Sequence, residues 1–344
     1  MLYTLLVSFL STSLFLIGMI KLGLRINLVD VPGGRKQHQG RVPLVGGIAM
    51  FLGVFSTFIL QDIYIEHYYA FLLATGLLMI IGVIDDRHDI SPKLRLLVQI
   101  IAMLIMIVIG QVLLSDLGNL LALGNISLGF IAISFTLFAT LSLINAVNMM
   151  DGLDGLAGTL TFISLSLMFV VSIDADRSTD AQALFVAMSS VLAFLCFNFP
   201  LPLRKQAKVF MGDAGSLFLG GLLAWFSISL SQGADKAVQP VIMLWFLAIP
   251  LLNLATVFTL RIKRKQSPLK PSRDHLHDYL INRGFSKRAT VFLIILMILI
   301  MGGLGLIGHY AQLPDYIMLL LFVFIYVYYL RKMLRPLKVP LAKS

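Results

Sequence analysis

The fold of this chain is decided by LGFIAISFTLFATLSLINAV at residues 128–147, which runs directly into NMMDGLDG at residues 148–155. The first part carries no charge and has the length that an α-helix needs to cross the roughly 30 Å hydrocarbon core of a bilayer. The second part places Asn148, Asp151 and Asp154 at the end of that span, three residues apart, so all three project toward one side of a helical turn. Ionisable groups at membrane depth are costly and tend to be functional, so we expect a site here.

The composition indicates an integral membrane protein, because 58% of the 344 residues are hydrophobic and only 13% are charged. We predict an all-α polytopic membrane protein with about eleven transmembrane helices, a single transmembrane catalytic domain over residues 1–335 and a basic cytoplasmic tail over 336–344. The first stretch has no basic n-region and no cleavage site, so it is interpreted as a span. The predicted spans lie near residues 2–22, 44–60, 68–84, 94–114, 128–147, 156–173, 181–199, 214–231, 238–260, 290–309 and 313–330.

The distribution of basic residues predicts the orientation. If the N-terminus is outside and the spans alternate, the cytoplasmic segments and the C-terminus hold 25 of the 27 Lys and Arg residues, and only Arg177 and Lys236 fall outside. This asymmetry follows the positive-inside rule, so the net charge of +10 indicates the orientation in the membrane rather than binding of nucleic acid. A basic cytoplasmic face also attracts anionic lipid and anionic substrates.

Several other polar motifs lie on the same face. The segment from Asp30 to Gly47 is rich in Gly and Pro, which favours a loop. Its basic residues are candidate hydrogen-bond donors to a bound anion; they are Arg35, Lys36, His38 and Arg41. A positive-inside loop without a ligand is the alternative. The pair Gly46-Gly47 equally suits close helix packing.

The remaining acids leave more than one interpretation open. Asp85 and Asp86 are adjacent, so they point about 100° apart and share a site only if their helix ends there; solvated interfacial carboxylates are the alternative. Asp154 and Asp213 each precede a predicted span and suit a helix cap or a metal ligand. An oxygen ligand set of Asp213 with Asn148, Asp151 or Asp154 would suit Mg²⁺, and no Cys/His spacing for zinc occurs.

The 261–289 loop is the most basic polar stretch and carries His275 and His277. Histidines two residues apart do not share a helical face, so an irregular loop that donates to phosphate is favoured over a helical metal site, with an unliganded basic loop as the alternative. Acids, a divalent cation and many basic groups on one aqueous face are what phosphoryl transfer needs. A transporter of anionic lipid or sugar phosphate and a lipid-binding scaffold are the competing classes.

At these residues the chain resembles the polyprenyl-phosphate N-acetylhexosamine-1-phosphate transferase family. The resemblance extends over about residues 1–335. The matching blocks are Arg35-Lys-x-His-x-Gly with Pro43-Leu-Val-Gly-Gly, Asp85-Asp86, Asn145-Ala-Val-Asn-x-x-Asp-Gly-Leu-Asp-Gly, Phe210-x-Gly-Asp-Ala-Gly-Ser and His275-x-His. In the muramoyl-pentapeptide branch the histidine block is three in a row, whereas here it is His275-Leu-His277-Asp278, which leaves the role of Asp278 open.

The resemblance implies transfer of N-acetylglucosamine-1-phosphate from UDP-N-acetylglucosamine to undecaprenyl phosphate, with Mg²⁺ or Mn²⁺, at the cytoplasmic face of a bacterial inner membrane. The product would enter an O-antigen or common-antigen pathway. The resemblance leaves open whether the protein forms a homodimer. Asp85 would sit beside the lipid phosphate. We favour direct in-line attack by that phosphate, with Asp85 removing its residual proton or orienting it, over a double displacement through an aspartyl phosphate. The implied site residues are catalytic Asp85, Asp86, Asp151 and Asp154, metal-binding Asp213, Asn148 and Asp154, and substrate-binding Lys36, His38, Arg41, Asn145, Arg261, His275 and His277.

Overall fold

The computed structural model describes residues 2–31, 40–63, 65–199, 206–265 and 274–334. Within these ranges the chain is a bundle of α-helices with one short antiparallel sheet, which confirms the predicted all-α polytopic class. The helices are α1 (Leu2–Arg25), α2 (Gly46–Leu60), α3 (Ile65–His88), α4 (Pro92–Leu104), α5 (Ala132–Met150), α6 (Leu156–Asp174), α7 (Ser178–Asn198), α8 (Gly212–Ser229), α9 (Pro240–Phe246), α10 (Ala248–Lys263), α11 (Leu276–Asn282), α12 (Lys287–Tyr310) and α13 (Asp315–Leu334). The strands are β1 (Val29–Asp30) and β2 (Val42–Pro43).

Each of the eleven apolar stretches coincides with a helix or with a pair of helices. In the described part of the chain, eight helices are long and apolar enough to cross a membrane, and a ninth span results if α9 and α10 are taken together. Of the other two, α2 has 15 residues and α8 has 18. The stretch predicted near 94–114 ends earlier, because α4 passes into a π-helical turn at Ile105–Ile109 and then into a loop.

The stretch predicted near 238–260 is not one straight helix but bends by 83° between α9 and α10. Pro250 explains the break, because proline has no backbone N–H to donate to the carbonyl of Phe246 four residues earlier. The Ser164 hydroxyl of α6 donates to that carbonyl instead, at 2.8 Å. The bend therefore leaves no unsatisfied backbone acceptor at Phe246, as an apolar environment requires.

Helix α8 lies at the centre of the bundle, against α2, α3 and α5. Small residues let its first turn approach its neighbours closely. A Cβ added to Gly47 would lie 2.2 Å from the backbone nitrogen of Gly215, and one added to Gly82 would lie 2.4 Å from Cα of Ala214. The interpretation of Gly47 as a close-packing glycine is therefore confirmed.

The opposite end of α8 is held by a buried ionic cluster around Asp180 of α7. Its carboxylate accepts hydrogen bonds from Tyr68 of α3 at 2.8 Å and from Arg177 at 2.8 Å, and from Ser229 of α8 at 3.3 Å. A buried carboxylate is tolerated when it is paired and hydrogen-bonded in this way. The cluster joins three helices at the end of the bundle that is remote from Asp213.

We expect Gly82→Ala to lower the thermal unfolding midpoint of the detergent-solubilised protein. The added methyl group would collide with the backbone at Ala214, which cannot rotate away, and overpacking of this kind costs about 1–3 kcal/mol. Gly303→Ala in α12 is the matched control, because no atom of the described part of the chain lies within 4 Å of its added Cβ. Equal midpoints for the two variants would show that the α3–α8 contact is not tight.

Candidate active site

The polar residues singled out in the sequence converge at one end of the bundle. The C-terminal ends of α3 and α5 and the N-terminal end of α8 meet there, and they carry Asp86, Asn148 and Asp213. The segment before α8 is fixed by β2 and the residues that follow it: Phe210 donates its N–H to the carbonyl of Pro43 at 2.9 Å and accepts from Gly46 at 3.0 Å. The fold thus brings four motifs together that are far apart in sequence.

Asp86 is engaged with the backbone of α8. Its carboxylate oxygens accept the backbone N–H groups of Asp213 at 2.8 Å and Ala214 at 3.1 Å. The first N–H groups of a helix have no partner inside the helix and carry partial positive charge, so a carboxylate is a suitable acceptor. Asp86 therefore caps α8 from another helix, whereas Asp213, which was an N-cap candidate, lies inside the first turn after Met211 and Gly212.

The side chain of Asp213 meets the α5 motif. Asn148 donates through Nδ2 to Asp213 Oδ1 at 2.5 Å and to the hydroxyl of Ser216 at 2.8 Å. Asp213 Oδ2 lies 3.8 Å from Nη1 of Arg95. Two of the three residues expected to bind a metal are thus in direct contact, although they are 65 positions apart.

Helix α3 continues past Asp85 and Asp86 to His88, so the pair does not lie at a helix end, and the two carboxylates have different partners. Asp85 is only 8% exposed, and Oδ2 accepts from Arg95 Nη1 at 2.8 Å while Oδ1 accepts from the backbone N–H of Ile90 at 3.0 Å. The interpretation of the pair as solvated interfacial carboxylates is therefore wrong. Arg95 links Asp85 to Asp213 and places both in one site.

Asp151 and Asp154 lie in the turn between α5 and α6. Helix α6 begins after Gly155, whose φ of +80° makes the turn, so glycine rather than Asp154 occupies the capping position. Desolvation by the surrounding protein, and then repulsion by Asp213 and Asp154, raises the pKa of Asp151 to about 7, although its side chain stays accessible to solvent. The acids therefore repel one another, and a bound cation would relieve that repulsion.

The histidines approach the same turn from the other side. A Cβ added to Gly152 would lie 2.4 Å from Nε2 of His277, so this ring lies directly on the turn that carries Asp151. The rings of His275 and His277 stack with centroids 5.4 Å apart. Burial, followed by the proximity of His277, lowers the pKa of His275 to about 4, so the ring is neutral near pH 7.

The other predicted substrate-binding residues are less closely associated with the acids. Arg41 donates to Asn27 at 2.5 Å and is exposed. Asn145 donates to the carbonyl of Leu141 at 2.7 Å and to Gln99 at 3.3 Å. Arg261 is buried in the last turn of α10. Lys36 and His38 lie outside the described residues.

Two residues of the site are not identified by the sequence interpretation. The charge distribution along the sequence assigns Arg95 only to the cytoplasmic side, although its spacing of four from Gln99 places two polar groups on one face of an otherwise apolar part of α4. Asn253 is the one carboxamide between residues 240 and 260, and it lies buried beside the histidines. In both cases the sequence feature that could have identified the residue is a polar side chain within an apolar span.

The donor set suits a hard divalent cation. Asp213, Asn148, Asp151 and Asp154 offer only oxygen ligands, as Mg²⁺ prefers. In the described part of the chain, no three His, Cys, Asp or Glu side chains are grouped so that they could hold a metal ion by themselves. Mg²⁺ usually takes one or two carboxylates and completes its shell with water and substrate phosphates, so the residues present fit such an ion.

Comparison with known proteins gives consistent matches. Residues 68–231 match the model of glycosyl transferase family 4. The chain is 36% identical over 328 residues to the undecaprenyl-phosphate alpha-N-acetylglucosaminyl 1-phosphate transferases of Salmonella typhi and Escherichia coli K12, covering 94% of this chain and 89% of each relative. The protein of the same name from Haemophilus influenzae is 35% identical over 325 residues, covering 94% and 92%. This chain therefore belongs to glycosyl transferase family 4, together with the undecaprenyl-phosphate alpha-N-acetylglucosaminyl 1-phosphate transferases.

Proposed function

We propose that this protein transfers N-acetylglucosamine-1-phosphate from UDP-N-acetylglucosamine to undecaprenyl phosphate and releases UMP. The names of the relatives support these substrates. The observation that carries the proposal is the contact of Asn148 with Asp213 at 2.5 Å. These two side chains are of the kinds that bind Mg²⁺, and they lie beside the ion pair of Asp85 and Arg95. One half of this arrangement suits a diphosphate donor and the other suits a phosphate acceptor.

The reaction is an in-line displacement. An oxygen of the lipid phosphate attacks the sugar-bound phosphorus of the UDP-sugar, the new P–O bond forms as the bond to the UMP oxygen breaks, and UMP leaves with the bonding pair. Asp213, Asn148 and Asp154 would hold Mg²⁺, for which Mn²⁺ can substitute, and the cation supplies neutralisation of the diphosphate charge. Asp151, Arg261, His275 and His277 bind the nucleotide diphosphate, assisted by Lys36, His38, Arg41 and Asn145.

Asp86 acts on this reaction through Asp213. Because both of its oxygens accept backbone N–H groups of α8, Asp86 holds the first turn of that helix in place and so sets the position of the Asp213 side chain. Asp85 orients the acceptor together with Arg95, and it removes the residual proton when the lipid phosphate arrives as a monoanion. A phosphate monoester has its second pKa near 6, so most of the acceptor is already a dianion at neutral pH.

The location of the site follows from the charge distribution. We infer eleven spans with the N-terminus outside and the C-terminus in the cytoplasm, in the inner membrane of a bacterium, with residues 1–335 as one catalytic domain. The division of Lys and Arg, 25 to 2, supports this orientation. With this orientation the site faces the cytoplasm, where UDP-sugars occur. The reaction would then be the first membrane step of a surface polysaccharide pathway such as that of O-antigen.

A secondary transporter of an anionic lipid remains the competing function, because a bent pair such as α9 and α10 also occurs in transporters. In transporters, however, the discontinuous helices bind substrate near the membrane midplane. Here the acids lie at the ends of α3, α5 and α8. A transporter would not release UMP.

We expect purified protein with UDP-N-acetylglucosamine, undecaprenyl phosphate and Mg²⁺ to release UMP, and Asp213→Asn to abolish that release. An amide is a poorer Mg²⁺ ligand than a carboxylate, so the loss should exceed about 100-fold at ordinary Mg²⁺. Asp235→Asn is the control, because this carboxylate is 79% exposed at the other end of the bundle. Turnover of Asp213→Asn at the wild-type rate would contradict the metal assignment, and no UMP from wild type would contradict the function.

The orientation can be tested by labelling single cysteines in a Cys196→Ala background with a membrane-impermeant maleimide. In intact cells we expect Asn125→Cys to react from outside and Lys270→Cys to react only after the cells are opened. This follows because residue 125 lies between α4 and α5, and residue 270 belongs to the basic stretch of sequence predicted to be cytoplasmic. Reaction of Lys270→Cys from outside would place the site in the wrong compartment for UDP-sugars.

The role of Asp85 can be tested through the pH profile of kcat for wild type and Asp85→Asn at saturating substrates. If Asp85 removes the residual proton, the variant should lose most at low pH and recover as the pH rises past about 6, where the acceptor becomes a dianion unaided. A deficit that does not change with pH would exclude proton removal. A phosphosugar trapped on Asp85 from UDP-sugar alone would establish a double displacement instead.

A further inference from the structure

Asn253 is a fully buried amide in the apolar interior of α10, with 0% of its surface exposed. Arg261 lies two turns further along the same helix, roughly 12 Å away by the helical rise. The chain nevertheless returns from the end of α10 to place His275 and Leu276 beside Asn253. A buried polar group at this depth is costly unless it is hydrogen-bonded, so its partners indicate its purpose.

The partners determine the orientation of the amide. The backbone N–H of Leu276 can only donate, and it donates at 2.9 Å, so the acceptor must be Oδ1 of Asn253. Nδ2 is therefore the atom that lies 3.5 Å from Nδ1 of His275. An amide nitrogen can only donate, so Nδ1 of His275 must accept, and in the neutral ring the proton lies on Nε2.

The surroundings keep this ring neutral. Among the described residues, the charged and titratable groups that act on His275 are His277, Asp278, Arg261 and Asp274. Burial outweighs the two acids and lowers the pKa of His275 to about 4. Near pH 7 the ring therefore offers one N–H donor, at Nε2, and no charge.

We infer that Asn253 is a positioning residue, whose amide holds His275 as the neutral Nε2–H tautomer so that this N–H donates to an oxygen of the bound nucleoside diphosphate. This inference rests on the proposed function, because it takes the histidine block as part of the donor-substrate site. Stacking of His275 on His277, whose ring lies on Gly152, directs the block toward the turn that carries Asp151. Oδ1 of Asn253 also helps to position His275, because it accepts the backbone N–H of Leu276 and so fixes the start of α11.

The test is a double-mutant cycle on UMP release, with kcat and KM measured for each substrate. Asn253→Ala and His275→Ala should each lower kcat/KM for UDP-N-acetylglucosamine by about 10- to 100-fold, the range for groups that orient metal-bound histidines. The KM for undecaprenyl phosphate should stay unchanged. If Asn253 acts through His275, the double variant should be no more than about 3-fold worse than His275→Ala alone.

Two further variants separate positioning from folding. Asn253→Asp keeps the acceptor for Leu276 but faces His275 with an acceptor, so Nδ1 must carry a proton. This variant should fold, and it should lose activity as the pH rises, because the neutral ring then keeps its proton on Nδ1 instead of Nε2. Thr256→Val is the matched control, because Thr256 is fully buried on the same helix and its hydroxyl has no hydrogen-bond partner among the residues that the structure describes. We expect this variant to retain wild-type kinetics.

Three outcomes would overturn the inference. They are wild-type kinetics in Asn253→Ala, losses that multiply fully in the double variant, and failure of both Asn253 variants to fold, which would assign the amide a structural role alone. Each of them is observed in a preparation whose wild type releases UMP. Failure of the proposed function is a different result, because the wild type itself would then release none.

Discussion

The two hydrogen bonds that the first turn of α8 donates to Asp86 join the membrane scaffold to the candidate site. A helix terminus in a low-dielectric interior needs an acceptor for its first N–H groups, and a carboxylate from α3 supplies it. Gly47 and Gly82 let neighbouring helices contact the same turn, so α8 has little freedom to shift or rotate. Asp213 therefore emerges at one angle, from which it reaches both Asn148 and Arg95.

The same requirement recurs wherever the backbone departs from a continuous helix. The carbonyl left without a partner by Pro250 accepts from Ser164, and the N–H at the start of α11 donates to Asn253. The N–H of Gly155, in the turn that carries Asp154, donates to Asn198 at 2.7 Å. Each of these three backbone groups is satisfied by a side chain from another helix, so irregular backbone is tolerated inside the bundle.

The electrostatics of the site follow from this construction. Asp85, Asp151, Asp154 and Asp213 lie close together, and Arg95 is the cation that contacts two of them. The ring of His275 is neutral near pH 7, so it can donate a hydrogen bond without adding charge. The arrangement has an excess of negative charge near Asp213, which suits a divalent cation, and its outer basic residues suit a phosphorylated lipid and a nucleotide.

The sequence by itself determined the helical membrane class, the places of the apolar helices and the residues at their ends, because hydrophobic length and charge asymmetry act locally along the chain. It also identified Asp213 and Asn148 as members of one site. Only the tertiary structure decided the bend at Leu247, the separation of Asp85 from Asp86 and the placement of Arg95 and Asn253. The physical reason is that these features depend on partners in other segments of the chain. Arg95 contacts the side chains of Asp85 and Asp213, whereas Ser164 and Asn253 bond to backbone groups, and no local pattern in the sequence marks any of these partners.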